Sequence, residues 1–488
     1  MCQVLFNIKL IACLDSRHRP GPARVPSRLT GTVRGGYTRR RMRQNPSPPR
    51  EFEVVRDPLW NTIRLDPAAV RIIDTAEFQR LRLIRQLGLA YLVYPGATHT
   101  RFDHALGVYH LARWAMGLLA DRGELQGVDP VDCRLAPYAA LLHDVGHYPF
   151  SHALEELGET LIPLDHEALA ERFLRADGIR TVLEEMAPDA PARLAALIRG
   201  TSDSPLQGLV SGSLDLDKIE YLRRDARFCG VPYGEVDVDR LLHALTLLED
   251  PRTGRTEVGI HEKGLSALES LLFSKYQMFR NVYWHHAVRA ATALYKQLVR
   301  DALLGGVISA DALVGQSDER LLTILELRAA EVEHPAARRV AERWIPAIRR
   351  RRLPKRALEV PGEAVRGLPG EAWIGTDGAL RDALEARLAA ELGMGEGCVM
   401  VDYPEKPRMM GLDLLMLRRS GAVERLTEGG TAGLIDLPRV SDELYHTARA
   451  FRVFTMERRE IPADRVLSIL ALGADEARAR LAAPEPLL

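Results

Sequence analysis

The chain of 488 residues has few lysines, few cysteines and no long apolar run. Only seven of its 66 basic residues are lysines, so a lysine inside a motif is informative. Its five cysteines are scattered without a CxxC pair, which supports neither a disulfide framework nor a thiolate metal site. No apolar segment approaches the ~18–20 residues that cross a bilayer. We therefore expect a cytoplasmic protein without a membrane partner.

The formal net charge of the chain is zero, but this value combines a basic N-terminal segment with an acidic remainder. The 66 basic residues balance 66 acidic ones. Residues 1–50 hold ten arginines, Lys9 and one acid, Asp15, so the remainder carries about ten net negative charges. We expect a basic, disordered extension over 1–50, with Met42 as an alternative start of the native protein. Lys9 interrupts the N-terminal apolar segment, and the arginines follow it, which is the wrong order for a secretory signal.

Hydrophobic spacing divides the rest of the chain in two. From Pro67 to about Ile348, after a short extended segment, apolar residues recur every three or four positions, which predicts helices. A run of basic residues at 349–356 marks a boundary. Beyond it, short apolar segments indicate strands at Cys398–Tyr403, Leu412–Leu417 and Phe451–Phe454, interleaved with helices such as Leu380–Leu392. The predicted fold is mostly α, with a helical domain over 51–348 and a smaller α+β region over 349–488.

Histidine is concentrated in one part of the chain, since seven of the 14 lie between residues 99 and 166. His104 falls on the apolar stripe of a predicted helix, and His143-Asp144 ends a second apolar helix. A buried carboxylate needs a partner, and a cation is a natural one. Asp217 starts a polar face on a third helix. Each feature alone is typical of a hydrogen-bonded core histidine or a solvated face, whereas all three together indicate a metal centre.

Three segments around these residues resemble the HD-domain phosphohydrolases, whose signature is H…HD…D. They are RIIDTAEFQRLRLIRQLGLAYLVYPGATHTRFDHALGVYHLA (71–112), AALLHDVGHYPFSHALE (139–155) and DLDKIEYLRRD (215–225). Within that superfamily the chain looks most similar to the deoxynucleoside triphosphate (dNTP) triphosphohydrolase branch. The resemblance covers roughly residues 57–295 and, more weakly, the C-terminal region, and no SAM domain accompanies it.

The resemblance implies an HD-domain helical core and residue roles within it. A divalent metal (Mn, Fe, Zn or Mg) would be bound by His104, His143, Asp144 and Asp217, and metal-activated water would attack the α-phosphorus. His147, His166 and Glu155 match catalytic positions. Nine further residues match positions at which members of the family bind the substrate: Gln86, Leu87, Arg101, His152, Lys218, Tyr221, Asp225, Arg280 and Tyr283. Products would be a deoxynucleoside and inorganic triphosphate.

Two further segments resemble family features outside the catalytic motif. Relatives carry a Tyr-Gln pair on the pocket-closing helix, opposite Ala290 and Ala291 in an ungapped comparison, with Tyr283 as a substitute or as a packing residue. Arg351 and Lys355, with Arg82 nearby, match a segment that binds regulatory nucleotides between subunits. The resemblance thus implies a nucleotide activator and a homo-oligomer, dimer or tetramer. The alternative for the basic run is a solvated linker.

Three functions remain open on the sequence. The first is the dNTP triphosphohydrolase. The second is an HD-type phosphatase or phosphodiesterase acting on another nucleotide or phosphorylated metabolite. The third is a nucleic-acid-binding protein with a relic metal site, which the acidic body disfavours because such binding draws affinity from neutralised phosphates.

Overall fold

The structure, a computed structural model, describes residues 52–404, 413–426 and 436–488. The predictions on residues 1–50, including Met42, lie outside the described residues, as does Leu412. The part of the chain that the structure describes is mostly helical, with three small sheets. None of its helices is long and apolar enough to cross a membrane.

Ten helices precede residue 245 and eleven follow it within the described ranges. The first ten are α1 Pro67–Ile73, α2 Ala76–Gln79, α3 Arg101–Asp121, α4 Pro130–Leu142, α5 His166–Leu174, α6 Asp177–Glu184, α7 Ala190–Arg199, α8 Gln207–Val210, α9 Leu216–Cys229 and α10 Val238–Ala244. The others are α11 Leu265–Met278, α12 His286–Leu304, α13 Ala310–Leu313, α14 Asp318–Ala329, α15 Pro335–Arg339, α16 Ile345–Arg349, α17 Pro369–Thr376, α18 Gly378–Glu391, α19 Leu437–Ala448, α20 Ala463–Leu470 and α21 Ala474–Ala482.

Nine strands form the three sheets of the described residues. They are β1 Glu53–Asp57, β2 Asn61–Leu65, β3 Leu245–Glu249, β4 Thr256–His261, β5 Lys355–Pro361, β6 Val399–Asp402, β7 Leu414–Leu417, β8 Val423–Leu426 and β9 Ala450–Thr455. Strands β1 and β2 make an antiparallel hairpin, and the other sheets have the orders β3-β4-β7-β8 and β5-β9-β6. The pairing of β4 with β7 is parallel, with Gly259 opposite Leu415.

The predicted strands of the C-terminal region are confirmed as β6, β7 and β9, and the predicted helix there as α18. Strands β3 and β4, by contrast, lie in the stretch predicted to be helical throughout. A short apolar run is ambiguous between helix and strand, and these two strands pair with each other as an antiparallel hairpin, with Leu245 opposite Ile260. Leu414 and Met416 of β7 belong to the same core cluster as α3, α4 and α9.

Helix caps fix the segments that carry the polar motifs. Thr100 and Asp103 form a capping box at the start of α3, because each side chain accepts a hydrogen bond from the other's backbone N–H. Asp215 accepts from the backbone N–H of Lys218 at the start of α9. Gly230, in the left-handed conformation, ends that helix. The first turns of α3 and α9 therefore have defined positions.

Candidate metal and phosphate site

Three chain segments bring four acidic and imidazole side chains together. His104 projects from the first turn of α3, His143 and Asp144 follow the end of α4, and Asp217 lies in the first turn of α9. His104 is fully buried, and Asp144 is nearly so. The polar side of α9, with Asp217 at its start, thus faces an interior cavity, not bulk solvent.

Ligating atoms of His104, His143 and Asp144 lie within 4.8 Å of one another, and the Asp217 carboxylate approaches both histidines. The Nε2 atom of His104 lies 2.9 Å from Asp217 Oδ1, 3.3 Å from His143 Nε2 and 3.6 Å from Asp144 Oδ2. The His143 Nε2 atom lies 3.4 Å from Asp144 Oδ1 and 3.6 Å from Asp217 Oδ1. Such separations are those of neighbouring ligands around one cation.

The hydrogen bonds of the two histidines decide which nitrogen faces the centre. His104 Nδ1 lies 2.7 Å from Glu220 Oε2, and His143 Nδ1 lies 2.8 Å from the carbonyl oxygen of Ala140. Both acceptors bind a proton on Nδ1, so Nε2 is the nitrogen of each ring that faces the centre, where it carries either a proton or a cation. Two Nε2 atoms 3.3 Å apart, flanked by carboxylates, fit a divalent cation that replaces the protons.

The protonation equilibria reflect the same concentration of charge. Burial opposes the imidazolium form of His104, but hydrogen bonds to Asp217 and Glu220 outweigh it and raise its pKa to about 10. Burial likewise opposes ionisation of Asp144, yet Arg101 and the neighbouring histidines hold its pKa well below the ordinary value. The pKa of Asp217 is also lowered, because hydrogen bonds from His104 and His143 outweigh its burial. The cluster therefore attracts positive charge strongly.

The turn after Asp144 carries a second group of histidines. The rings of His147 and His166 stack with centroids 4.0 Å apart. Glu155 Oε1 accepts from His166 Nδ1 at 2.7 Å, and Glu155 Oε2 lies 3.0 Å from His152 Nδ1. These four residues are a second group that could hold a metal ion, and it adjoins the first because His147 Nε2 lies 3.0 Å from Asp144 Oδ1.

Burial lowers the pKa of His147 well below its ordinary value, and Arg101 and His166 add to the effect. Burial also disfavours the charged form of His166, but the Glu155 carboxylate outweighs it, so the pKa of His166 is raised. The two stacked rings therefore differ in basicity, with His166 the better proton carrier.

Backbone contacts fix this turn from the opposite side. Arg80 donates to the carbonyl oxygen of Val145 at 2.6 Å and to that of His147 at 2.9 Å. The backbone N–H of Phe150, which has a positive φ of 58°, donates to Asp318 Oδ1 at 2.7 Å. The residues between His147 and His152 are therefore anchored to α14.

A cavity of about 470 Å³ opens beside the cluster and is lined by several cations. Arg101 donates to Asp144 Oδ2 at 2.5 Å, and Lys218 donates to the carbonyl oxygen of Gly212 at 2.8 Å. Lys275 of α11, only 4% exposed, also lines this cavity. Arg280 does not, since it is exposed and donates to the hydroxyl of Tyr276 at 2.8 Å.

Polar and aromatic side chains also line the cavity. Gln86, Leu87 and Tyr221 line it, and the buried Asp225 accepts from the Tyr283 hydroxyl at 2.6 Å and lies 2.8 Å from His99 Nε2. Tyr283 reaches the cavity at the end of a π-helical turn, Phe279–Tyr283, that continues α11. Ala290 and Ala291, which an ungapped comparison placed here, do not line it.

A second cavity of about 420 Å³ lies at the start of β5. Arg351 and Lys355 both line it, together with Arg356, Arg458 and Arg459. Arg351 also donates to the carbonyl oxygen of Leu92 at 2.6 Å. Arg82 is not among the lining residues, because its guanidinium stacks on the Phe102 ring at 3.5 Å. The structure thus brings Arg351 and Lys355 together and leaves Arg82 apart from them.

Comparisons with known proteins identify the family of the chain. The HD domain model matches residues 101–206, and the HD associated region matches residues 236–431. The protein MJ1154 of Methanocaldococcus jannaschii is 32% identical over 379 residues, which are 77% of this chain and 74% of that protein. The chain belongs to the HD-domain phosphohydrolase family. The residues that carry the H…HD…D signature in this HD-domain chain are those of the convergent cluster.

Other relatives share parts of the HD-domain chain. The human deoxynucleoside triphosphate triphosphohydrolase SAMHD1 is 29% identical over 266 residues, which cover 48% of this chain and 42% of SAMHD1. The chain thus spans less than half the length of that relative. A crystal structure of a hypothetical protein from Aquifex aeolicus is 27% identical with a TM-score of 0.60 and covers 88% of this chain and all of that one.

Two residues of this region, Lys275 and Glu220, were not among the site residues predicted from the sequence. Lys275 lines the cavity where Arg280 was expected, and the scarcity of lysine was a usable signal for it. Glu220, which contacts His104, gave no usable signal. Its partners come from three separate segments, so its burial depends on the tertiary fold.

Proposed function

We propose that this HD-domain protein hydrolyses deoxynucleoside triphosphates to deoxynucleosides and inorganic triphosphate with a divalent metal (Mn, Fe, Zn or Mg). The observation that carries the proposal is one cavity with the histidine-carboxylate cluster in its wall, cations beside it and the Asp225–Tyr283 pair beyond. Its volume, about 470 Å³, is in the range of small-molecule sites. We further propose that the reaction takes place in the cytoplasm.

His104, His143, Asp144 and Asp217 are the residues that would hold the metal. When bound, the metal supplies Lewis acidity toward the α-phosphate and lowers the pKa of water. Arg101 and Lys218 face the same cavity and would stabilise the negative charge that develops on the phosphate oxygens. We assign Lys275 the same role, in addition to the sequence-based set.

We assign proton delivery to the stacked histidines. Glu155 holds the Nδ1 proton of His166, so its Nε2 is the atom available to exchange a proton with the leaving 5′-oxygen. His147, kept neutral by burial, would contact the α-phosphate, and His152 completes this wall. The nucleoside would bind Gln86, Leu87, Tyr221, Asp225 and Tyr283.

A nucleotide activator and a homo-oligomer belong to the same proposal. Arg351 and Lys355 face a cavity with three further arginines, a setting that suits a polyphosphate. Arg82 would join them only across a subunit contact, as a dimer or tetramer would provide. Light scattering with and without added dNTP tests this part, since an activator must shift the assembly.

The decisive experiment identifies the products. The full chain is incubated with Mn²⁺ or Mg²⁺ and each dNTP, singly and mixed, and the products are separated by chromatography. Deoxynucleoside with triphosphate is the expected outcome. Orthophosphate or pyrophosphate release would favour a different HD-type phosphatase, and salt-sensitive nucleic-acid binding without turnover would favour the relic site. Full activity in Asp144→Ala would contradict the metal assignment.

A further inference from the structure

A buried glutamate lies behind the metal cluster, on the side away from the cavity. Glu220 is on α9, one turn after Asp217, and its side chain is fully buried. Its Oε2 atom accepts from His104 Nδ1 at 2.7 Å. The same helix therefore supplies one candidate metal ligand and the carboxylate that contacts another.

The opposite side of this carboxylate is also occupied. Glu220 Oε1 accepts from Arg224 Nε at 2.7 Å and from the indole Nε1 of Trp60 at 2.9 Å. Arg224 in turn forms an ion pair with Asp57 at 3.0 Å. A continuous series of buried polar side chains thus runs from Asp57 to the imidazole of His104. Each member limits the freedom of the next, so the carboxylate has one defined position.

A glycine on α3 makes room for this carboxylate. A Cβ atom on Gly107 would lie 2.0 Å from Glu220 Oε1 and 2.9 Å from Arg224 Nη2. Gly107 is one helical turn after His104, in the interior of a 21-residue helix, where glycine is disfavoured. The close approach of Glu220 explains why a glycine stands there.

We propose that Glu220 is a positioning residue for the metal ligand His104. By accepting the Nδ1 proton, it keeps Nε2 as the nitrogen that faces Asp217 and His143 and that binds the metal when its own proton leaves. It also fixes the plane of the ring, and its negative charge makes the imidazole a stronger donor to a cation. The inference rests on the proposed role of His104 as a ligand, and it does not depend on the substrate.

The test is the Glu220→Gln variant of the full chain, measured by metal binding. Isothermal titration with Mn²⁺ should give a dissociation constant about 10- to 100-fold higher than that of the wild type. The absorption spectrum of bound Co²⁺ should change, because the geometry around His104 changes. Turnover of the best substrate should recover at high Mn²⁺ concentration. Unchanged Mn²⁺ affinity with an unchanged Co²⁺ spectrum would overturn the proposal.

A second variant and a control separate positioning from stability. Gly107→Ala displaces the carboxylate without altering its chemistry and should also weaken Mn²⁺ binding; unchanged affinity there would overturn the proposal even if Glu220→Gln failed to fold. Asp66→Asn is the control, since Asp66 accepts from the hydroxyls of Tyr109 and Tyr138 away from the cluster. It should lower the melting temperature but leave the Mn²⁺ affinity unchanged. An equal affinity loss in this control would assign the effect to general destabilisation and overturn the proposal.

The two proposals fail in different ways. A wild-type protein that binds Mn²⁺ but hydrolyses no dNTP would contradict the proposed function and leave the role of Glu220 standing. If the His104→Ala variant binds Mn²⁺ and Co²⁺ as tightly as the wild type does, His104 is not a metal ligand. That result would contradict the role of Glu220, whatever the substrate.

Discussion

Two cations only five positions apart, Lys275 and Arg280, occupy different environments. The lysine is buried and lines the cavity beside the histidine-carboxylate cluster, whereas the arginine is exposed. A hydrogen bond to a charged group contributes about 1.5–3 kcal/mol, which is about 10- to 150-fold in rate. We expect Lys275→Ala to lower kcat/KM for the best dNTP by such a factor. Steady-state kinetics measures it.

The matched control is Lys263→Ala, which removes an exposed lysine outside the cavity. It should leave kcat/KM within about twofold of the wild type. Arg280→Ala should behave like this control, because the Arg280 side chain is exposed and does not line the cavity. A larger loss in Arg280→Ala than in Lys275→Ala would show that the phosphate binds at the sequence-predicted position.

Asp318 gives the stability of the protein a specific pH dependence. Burial raises its pKa to about 6, although the backbone N–H groups of Arg85 and Phe150 donate to the ionised form. Because the folded pKa exceeds the unfolded value, its contribution to stability is full below about pH 4 and declines through about pH 6. The unfolding free energy of the wild type, relative to Asp318→Asn, should therefore fall by about 2 kcal/mol from pH 4 to pH 7.5.

Urea denaturation in the presence of a chelator, at several pH values, measures this difference. The chelator removes metal binding from the comparison. If the unfolding free energies of the two proteins change in parallel with pH, the raised pKa of Asp318 is contradicted, because asparagine has no titrating group.

At the scale of elements, the turn after α4 approaches α5 unusually closely. A Cβ atom on Gly146 would lie 2.1 Å from the carbonyl oxygen of His166 and 2.5 Å from the backbone nitrogen of Ala170. Gly146→Ala must therefore separate the turn from α5 and part the stacked rings of His147 and His166. We expect a loss of about 1–3 kcal/mol in stability and at least tenfold in kcat.

Gly117→Ala is the matched control for that substitution. Gly117 lies on α3, and a Cβ atom there would have no neighbour within 4 Å. Alanine should stabilise the helix by about 0.5–1 kcal/mol and leave kcat unchanged. Equal melting temperatures for the two variants would contradict the close packing at Gly146. Thermal unfolding and steady-state kinetics provide both readouts.

The helices that carry the signature could be predicted from the sequence, while the supports behind them could not. The apolar stripe beside His104 and the run before His143 are local patterns. Lys275 and Glu220 acquire their surroundings only when distant segments meet, as when Trp60 and His104 reach the glutamate. Strands β3 and β4 form a local antiparallel hairpin and went unpredicted for another reason, because short apolar runs are ambiguous between helix and strand.

At the scale of the whole molecule, the C-terminal region contributes to the core beneath the candidate site. Strand β7 pairs with β4, and residues of α19 join the core cluster of α3 and α4. Arg289 of α12 forms an ion pair with Asp402 of β6 at 2.5 Å, and it forms a second ion pair with Glu156. A chain ending at residue 348 loses all these partners, so we expect it to melt without a cooperative transition.

Circular dichroism of chains covering 51–348 and 51–488 tests this expectation. The longer chain should unfold cooperatively and bind Mn²⁺. Cooperative melting of the shorter chain, with full Mn²⁺ affinity, would instead support the predicted independent domain over 51–348.

The parallel pairing of β4 with β7 also has a consequence for biosynthesis. Gly259 and Leu415, which face each other in that sheet, are separated by about 150 residues of sequence. At ribosomal speeds of about 5–20 residues per second, β4 waits on the order of ten seconds for its neighbour. During that interval one edge of the nascent sheet is open to other strands, including those of neighbouring nascent chains on a polysome. Slowing translation between codons 262 and 413 should therefore increase aggregation, whereas slowing it after codon 450 should not.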